Sequence, residues 1–188
     1  SCHAKCDDGF MVLIDDKGAR IVADGLGFAN ECVYHHASQK IYVNETFARR
    51  LTSFDVAQNG DLSNRVTLTQ FGAGTYPDGL TFDASGSIWV TSIVSNRILK
   101  VAPDGDYEIL LEDCPAEHIE QTEVAYQKNA LTKAHLDIPS GKVLKNISSL
   151  AFGGPDLKRI YLGCLLGQSI AWIDGSQRGM ENNIWQTI

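Results

Sequence analysis

Apolar and polar positions alternate in short runs along most of this chain, and three stretches repeat one another. In the clearest, Tyr76-Pro77-Asp78-Gly79 reads as a break in the chain, and Leu80 and Phe82 then flank polar Thr81. Asp83-Ala84-Ser85-Gly86 reads as a turn, and Ile88-Trp89-Val90 is an apolar run of β-forming residues. The same order recurs from Asn30-Glu31-Cys32-Val33-Tyr34 to Ile41-Tyr42-Val43, and from Ser148-Ser149-Leu150-Ala151-Phe152 to Ile160-Tyr161-Leu162. Each repeat sets a small polar or acidic residue (Asn30, Asp78 or Ser148) just before its first predicted strand.

Further strands are expected over 10–16, 19–23, 50–56, 63–69, 97–102 and 107–111, separated by turn signals such as Asp16-Lys17-Gly18, Asn59-Gly60-Asp61 and Pro103-Asp104-Gly105. Each repeat is thus a unit of four short strands. Asn30 and Asp78 lie 48 residues apart, a period that four-stranded propeller blades produce, whereas a helical solenoid would space its apolar residues at 3.6. Residues 112–145 interrupt the pattern and stretch the next interval to 70 residues. Asp113 and Pro115 suit a helix start, and Ile119, Val124 and Tyr126 give it a patchy apolar face. A short helix and loop between blades is predicted there, as a surface element covering an edge.

The predicted fold is all-β: a single domain over 1–188, built as a partial propeller of three to four blades with a helical insertion. Its parts are the outer strands of a preceding blade (10–24), a blade (25–72), a second blade (73–111), the insertion (112–145) and the start of a further blade (146–175). Propellers close with at least about four blades, and open sheet edges invite pairing. The pattern, with its start at Ser1 rather than Met, therefore implies either upstream blades or a homo-oligomer that covers the edges.

Composition alters this picture little. Of 188 residues, 44% are hydrophobic and 21% charged, ordinary for a globular chain. The net charge of −7 argues against a nucleic-acid or anionic-membrane partner and suits cation binding. No apolar run approaches the roughly 20 residues of a membrane span, and no secretory segment opens the chain, so a cytoplasmic location is expected. Cys2, Cys6, Cys32, Cys114 and Cys164 are odd in number and scattered, which fits reduced, partly buried thiols better than a disulfide framework. Cys2-His3-Ala4-Lys5-Cys6 has metal-like spacing but no second pair nearby; it reads as incidental, and a Cys2–Cys6 disulfide is no better supported. The sequons at Asn44-Glu45-Thr46 and Asn146-Ile147-Ser148 fall in or beside predicted strands and read as chance.

Taken in order, Asn30-Glu31, Tyr42-Val43-Asn44-Glu45-Thr46, Pro77-Asp78-Gly79-Leu80, Trp89-Val90-Thr91-Ser92 and Ala151-Phe152-Gly153-Gly154-Pro155-Asp156-Leu157 resemble the regucalcin/gluconolactonase (SMP-30/gluconolactonase/LRE-like) family of calcium-dependent six-bladed propellers. The resemblance covers roughly residues 10–175. Each motif alone is weak; the ordered set is specific. It implies one divalent cation, Ca2+ foremost with Zn2+, Mg2+ or Mn2+ as alternatives, in a cleft on the propeller axis. The family's ligands are an early Glu, one or two Asn and an Asp, each at the start of an innermost strand. Its Asn-Gly asparagine corresponds to Asn30, where Glu31 replaces the Gly, and its Pro-Asp-Gly aspartate to Asp78. The early Glu and a further Asn are expected upstream of Ser1, a departure that bears on the activity of this chain.

The activity implied is hydrolysis of a sugar lactone or related small ester, with Asp78 as general base or water-orienting group. Ser148 holds the equivalent position in the next blade and, with Glu31, is a candidate to contact substrate. Without the resemblance, Asp78 reads as a turn residue and Asn30 as a strand-entry residue. Asp104 and Asp156 keep the turn reading. Glu31 is expected to point away from Asn30 by strand alternation, and Glu45 to pair with Arg49 or Arg50. Cys32 reads as core, His35 and His36 as exposed, and Trp89 and Tyr42 as packing between blades. Ser92, Ser95 and Asn96 read equally as turn residues or as contacts to a substrate hydroxyl. The competing readings are a non-catalytic calcium- or protein-binding module and an inactive fragment.

Overall fold

A computed structural model describes residues 7–181; Cys2, Cys6 and Trp185 lie outside the described residues. Four antiparallel sheets follow one another along the chain. The first is the hairpin β1 (Gly9–Asp15) and β2 (Gly18–Leu26). Next comes the four-stranded meander β3 (Ala29–His35), β4 (Lys40–Glu45), β5 (Arg50–Val56) and β6 (Leu62–Gln70). A second four-stranded meander contains β7 (Thr75–Phe82), β8 (Ile88–Val94), β9 (Arg97–Val101) and β10 (Tyr107–Glu112). The helices α1 (Ala116–Gln127) and α2 (Lys133–Leu136) come next, and β11 (Ile147–Gly153), β12 (Arg159–Cys164) and β13 (Ala171–Asp174) close the series as a three-stranded sheet. This is the propeller-type, all-β architecture that the repeats predict, with a helical insertion. Among the described residues, no helix is long and apolar enough to cross a membrane.

The core lies between sheets. Leu51 meets Leu80, Phe82, Ile88, Val90, Leu99 and Val101, with Tyr42 packed alongside, where the two four-stranded sheets face each other. Trp89 and Ile98 meet Leu150, Ile160 and Leu162 on the next sheet. Every residue of β8 is buried, which is why Ile88-Trp89-Val90 and Ile93-Val94 do not alternate with polar positions; the two hydroxyl residues between them, Thr91 and Ser92, are buried and hydrogen-bonded to β7. Tyr42 and Trp89 do pack between blades: their rings lie edge-on to Phe82 (5.3 Å) and Phe152 (5.2 Å).

The insertion is anchored rather than loosely draped. Phe47, Tyr76, Ile93 and Val94 pack with Ala125 and Leu131, and the Tyr126 hydroxyl donates to the main-chain oxygen of Phe47 at 2.6 Å. Arg49, 5% exposed, lies between the rings of Tyr76 (4.4 Å) and Tyr126 (3.6 Å) and pairs with Glu123 at 2.7 Å. The far end of the insertion is held by the Asp113 carboxylate, which accepts the amides of Lys142 (2.9 Å), Val143 (2.8 Å) and Leu144 (2.7 Å). The connections β4–β5, β8–β9 and β10–β11 all emerge at the end of the sheets where β3, β7 and β11 begin, so the insertion lies on that same face.

Candidate functional site

Three inner strands, β3, β7 and β11, stand side by side, with β7 in contact with both neighbours. Each carries an irregularity at its repeat position. Pairing shifts between Ala29 and Cys32 in β3, between Pro77 and Leu80 in β7, and between Ile147 and Ser149 in β11. Asn30, Asp78 and Ser148 therefore sit at bulges inside strands, not in turns ahead of them. The correction is largest at Pro77-Asp78-Gly79: β7 begins at Thr75 and takes the motif in. A bulge tolerates the proline, which has no N–H to give a ladder, and bends the strand locally.

Side chains satisfy the main chain that the β7 bulge leaves without ladder partners. Tyr76 N–H donates to Ser92 Oγ (2.8 Å), Gly79 N–H to Thr91 Oγ1 (2.9 Å) and Leu80 N–H to Glu31 Oε2 (2.9 Å). The carbonyl of Pro77 accepts from Thr46 Oγ1 (2.7 Å), and those of Asp78 (2.9 Å) and Gly79 (3.2 Å) accept from Asn44 Nδ2. The Asn-Glu-Thr triplet is thus a structural clamp. Asn44 is wholly buried, and so is no glycosylation acceptor. Its Oδ1 is buried without a hydrogen-bond partner, a condition that typically costs about 1–3 kcal/mol. Between the clamping residues, Glu45 is buried and held by Arg50 (2.6 Å), Thr52 and the Gly27 amide, so the expected ion pair forms with Arg50.

Asn30 and Glu31 both reach β7, against strict alternation, because the β3 bulge turns them off the regular pleat. Asn30 hydrogen-bonds the Asp78 carboxylate, while Glu31 caps the Leu80 amide and lies close enough to repel Asp78. Burial, Glu31's charge and the opposing pull of Asn30 leave the Asp78 carboxyl pushed up to about 6. Partial desolvation of its carboxyl raises Glu31, against the Leu80 amide, although the residue as a whole is exposed. Among the described residues, no Lys or Arg pairs with either acid. Ser148 adjoins them through its main chain: a β-carbon on Gly79 would fall 2.5 Å from the Ser148 oxygen and 2.8 Å from the Ser149 Cα. Glycine is what allows the two inner strands to approach.

Several other sequence expectations need correction or find an explanation. Cys32 is exposed rather than core, displaced by the same β3 bulge. His35 is half-buried and stacked on Phe82 at 4.5 Å rather than free in solvent. Ser92, Ser95 and Asn96 are buried and serve the fold: Ser92 and Ser95 bond each other, while Asn96 donates to Asp113 and accepts from Ile147. Asp104 and Asp156 each accept an amide two residues on, as turn residues do. Sequence reasoning missed Asn44 and Thr46 as parts of this region. Both stand in the Tyr42–Thr46 stretch that carries part of the family resemblance, and both are polar where a strand between two sheets is normally apolar.

This fold, with Asn30, Asp78 and Ser148 at the bulges of neighbouring inner strands, is of the β-propeller type. The chain belongs to the SMP-30/gluconolactonase/LRE-like family, whose profile matches residues 2–119. It is similar to 6-deoxy-6-sulfogluconolactonase of Pseudomonas putida, 29% identical over 52% of this chain and 34% of that protein. It is also similar to the putative sugar lactone lactonase YvrE of Bacillus subtilis, 24% identical over 82% of this chain and 41% of that protein. The chain thus spans less than half the length of these relatives. In fold it is similar to the calcium-binding protein regucalcin of Agrobacterium tumefaciens, with a TM-score of 0.60 at 15% identity over 88% of this chain and 48% of that one.

The residues present suit a hard cation. An amide and two carboxylates converge from adjacent strands, and the acids have no cationic partner among the described residues. All-oxygen donors of this kind fit Ca2+, Mg2+ or Mn2+ better than a softer ion. Among the described residues, no group of three or more His, Cys, Asp and Glu side chains gathers as for a metal.

Proposed function

We propose that this chain contributes to a divalent-cation-dependent site that hydrolyses a sugar lactone or a related small ester. The observation that carries the proposal is the convergence of Asn30, Glu31 and Asp78 at the bulged starts of two neighbouring inner strands. Membership of a family whose matched relatives are named as sugar lactonases supports the substrate class. The description of the regucalcin neighbour as calcium-binding supports Ca2+ as the first choice of ion.

Asn30 and Asp78 would hold the cation. When bound, it would supply polarisation of the lactone carbonyl and compensation of charge on the tetrahedral oxygen. Asp78 accepts a proton from the attacking water as that water's oxygen bonds to the carbonyl carbon. The ring C–O bond then breaks, the proton passes from Asp78 to the departing ring oxygen, and an open-chain hydroxy acid results. Glu31 and Ser148 border the same region and are assigned to substrate contact.

A second reading, a cation-binding propeller module without catalysis or an inactive fragment, is favoured by the limited donor set among the described residues. Calorimetric titration with Ca2+, combined with a proton-release assay on gluconolactone, separates the two. Asp78→Ala is expected to abolish hydrolysis with the fold intact. Absence of any divalent-cation binding by the chain, or full activity in Asp78→Ala, refutes the hydrolase reading.

A further inference from the structure

Thr46 is 1% exposed and has one hydroxyl proton to give. A main-chain oxygen cannot donate, so the proton is committed to Pro77 O at 2.7 Å. The Thr46 oxygen then faces its other partner, the Asn30 side chain at 3.1 Å, as an acceptor. Asn30 must present Nδ2 to it, and its amide oxygen is turned away from Thr46. The Thr46 hydroxyl, together with the Asp78 carboxylate that accepts from the same amide, therefore selects which atom of Asn30 faces which way, a choice that an amide by itself leaves open.

Asn44, two residues earlier in β4, follows the same logic. Both of its partners on β7 are carbonyls, those of Asp78 and Gly79, so Nδ2 must face them and Oδ1 is stranded. A residue chosen for packing alone would not leave a buried oxygen unpaired. Asn44 and Thr46 are thus both committed to the main chain of the bulge that carries Asp78.

We propose that Thr46 is a positioning residue for cation binding: by accepting from Asn30 Nδ2 it helps orient the Asn30 amide, and it joins that amide to the main-chain oxygen of Pro77, next to Asp78. This rests on the assignment of Asn30 and Asp78 as cation ligands. Groups that orient a metal's ligands typically matter by about 10- to 100-fold in affinity when lost. Thr46→Val keeps the shape and removes the hydroxyl, whereas Thr46→Ser keeps the hydroxyl. On the full chain, calorimetry with Ca2+ is expected to show affinity reduced by about tenfold or more in the Val variant and largely retained in the Ser variant, with both melting cooperatively.

Equal Ca2+ affinity in a folded Thr46→Val variant overturns the proposal. A second readout does not need the cation. In 1H–15N spectra, the Asn30 side-chain amide pair should be dispersed in the wild type and in Thr46→Ser, and shift toward the free position in Thr46→Val, where only the Asp78 carboxylate still accepts from it. If the pair ignores Thr46→Val, the orientation is wrong even where Ca2+ binds. If the wild type binds no divalent cation but the pair responds as expected, the cation-site assignment fails while the orienting role of the hydroxyl stands. Should Thr46→Val not fold, wild-type contacts between the Asn30 amide protons and the Thr46 methyl group decide the matter, and their absence overturns it.

Discussion

Asp83 Oδ2 accepts the indole N–H of Trp89 at 3.0 Å, across the hairpin that joins β7 to β8. Asp83 is 1% exposed. Its other oxygen accepts Ser85 N–H (2.9 Å), Ser85 Oγ (2.6 Å) and Ser87 N–H (3.1 Å), while Lys100 approaches Oδ2 at 3.3 Å. One buried carboxylate therefore closes the turn, anchors the largest ring of the inter-sheet core and neutralises a lysine. Asp83→Ala leaves these donors unpaired and should destabilise the fold by about 3 kcal/mol. Urea unfolding would measure this; a loss no larger than that of an exposed substitution would show that the turn holds without it.

Acid should weaken the same anchor. Burial pushes the Asp83 carboxyl up, but hydrogen bonds from Ser85, Trp89, Ser87 and Lys100 outweigh it and hold it below the usual range. Its folded-state pKa is thus lower than its unfolded value of about 3.9. The unfolded chain binds the extra proton, so this contribution is complete above pH ~4 and is lost as pH falls through the folded-state pKa. Asp113, lowered by its three amides against burial, acts in the same direction. Unfolding free energy should drop below about pH 4, and less steeply in Asp83→Asn. Identical pH profiles for the two proteins would contradict this.

Asp113 should also control the order of the segment that leads into β11. With Asp113→Ala, the amides of Lys142, Val143 and Leu144 lose their acceptor. Hydrogen exchange at these three positions should accelerate by at least about tenfold, while β8 stays protected.

Arg49 joins the insertion to the sheets. Lysine in its place keeps the charge but loses the planar fork and the stacking between Tyr76 and Tyr126. Arg49→Lys should cost about 1–2 kcal/mol and make the 116–136 stretch the first site of limited proteolysis. Cleavage elsewhere first would mean that the apolar contacts of Leu131 and Ala125 hold the insertion without Arg49.

The strands, their turns and the interruption by helix were legible because each has a local cause. Alternation selects strands, Gly60 and Gly105 adopt positive φ in their turns, and Pro115 precedes α1 as the sequence suggests. The repeat positions Asn30, Asp78 and Ser148 were legible from spacing, but not their setting. Pro77-Asp78-Gly79 looks like a turn because turn residues and bulge residues share the same conformational demands. Only the pairing partner distinguishes a bulge from a turn, and that partner, Ser92 opposite Pro77, is a matter of register.

By itself, then, the sequence determined the all-β repeat, the family resemblance and the two candidate ligands on different blades, since periodicity and turn chemistry act within a few residues. Tertiary structure alone decided that Glu31 turns toward Asp78's strand, that Cys32 is exposed, and that Asn44 and Thr46 grip the bulge from the neighbouring sheet. Those facts depend on where two inner strands meet, and on hydrogen bonds between residues more than 30 positions apart. No local pattern in the chain encodes that distance.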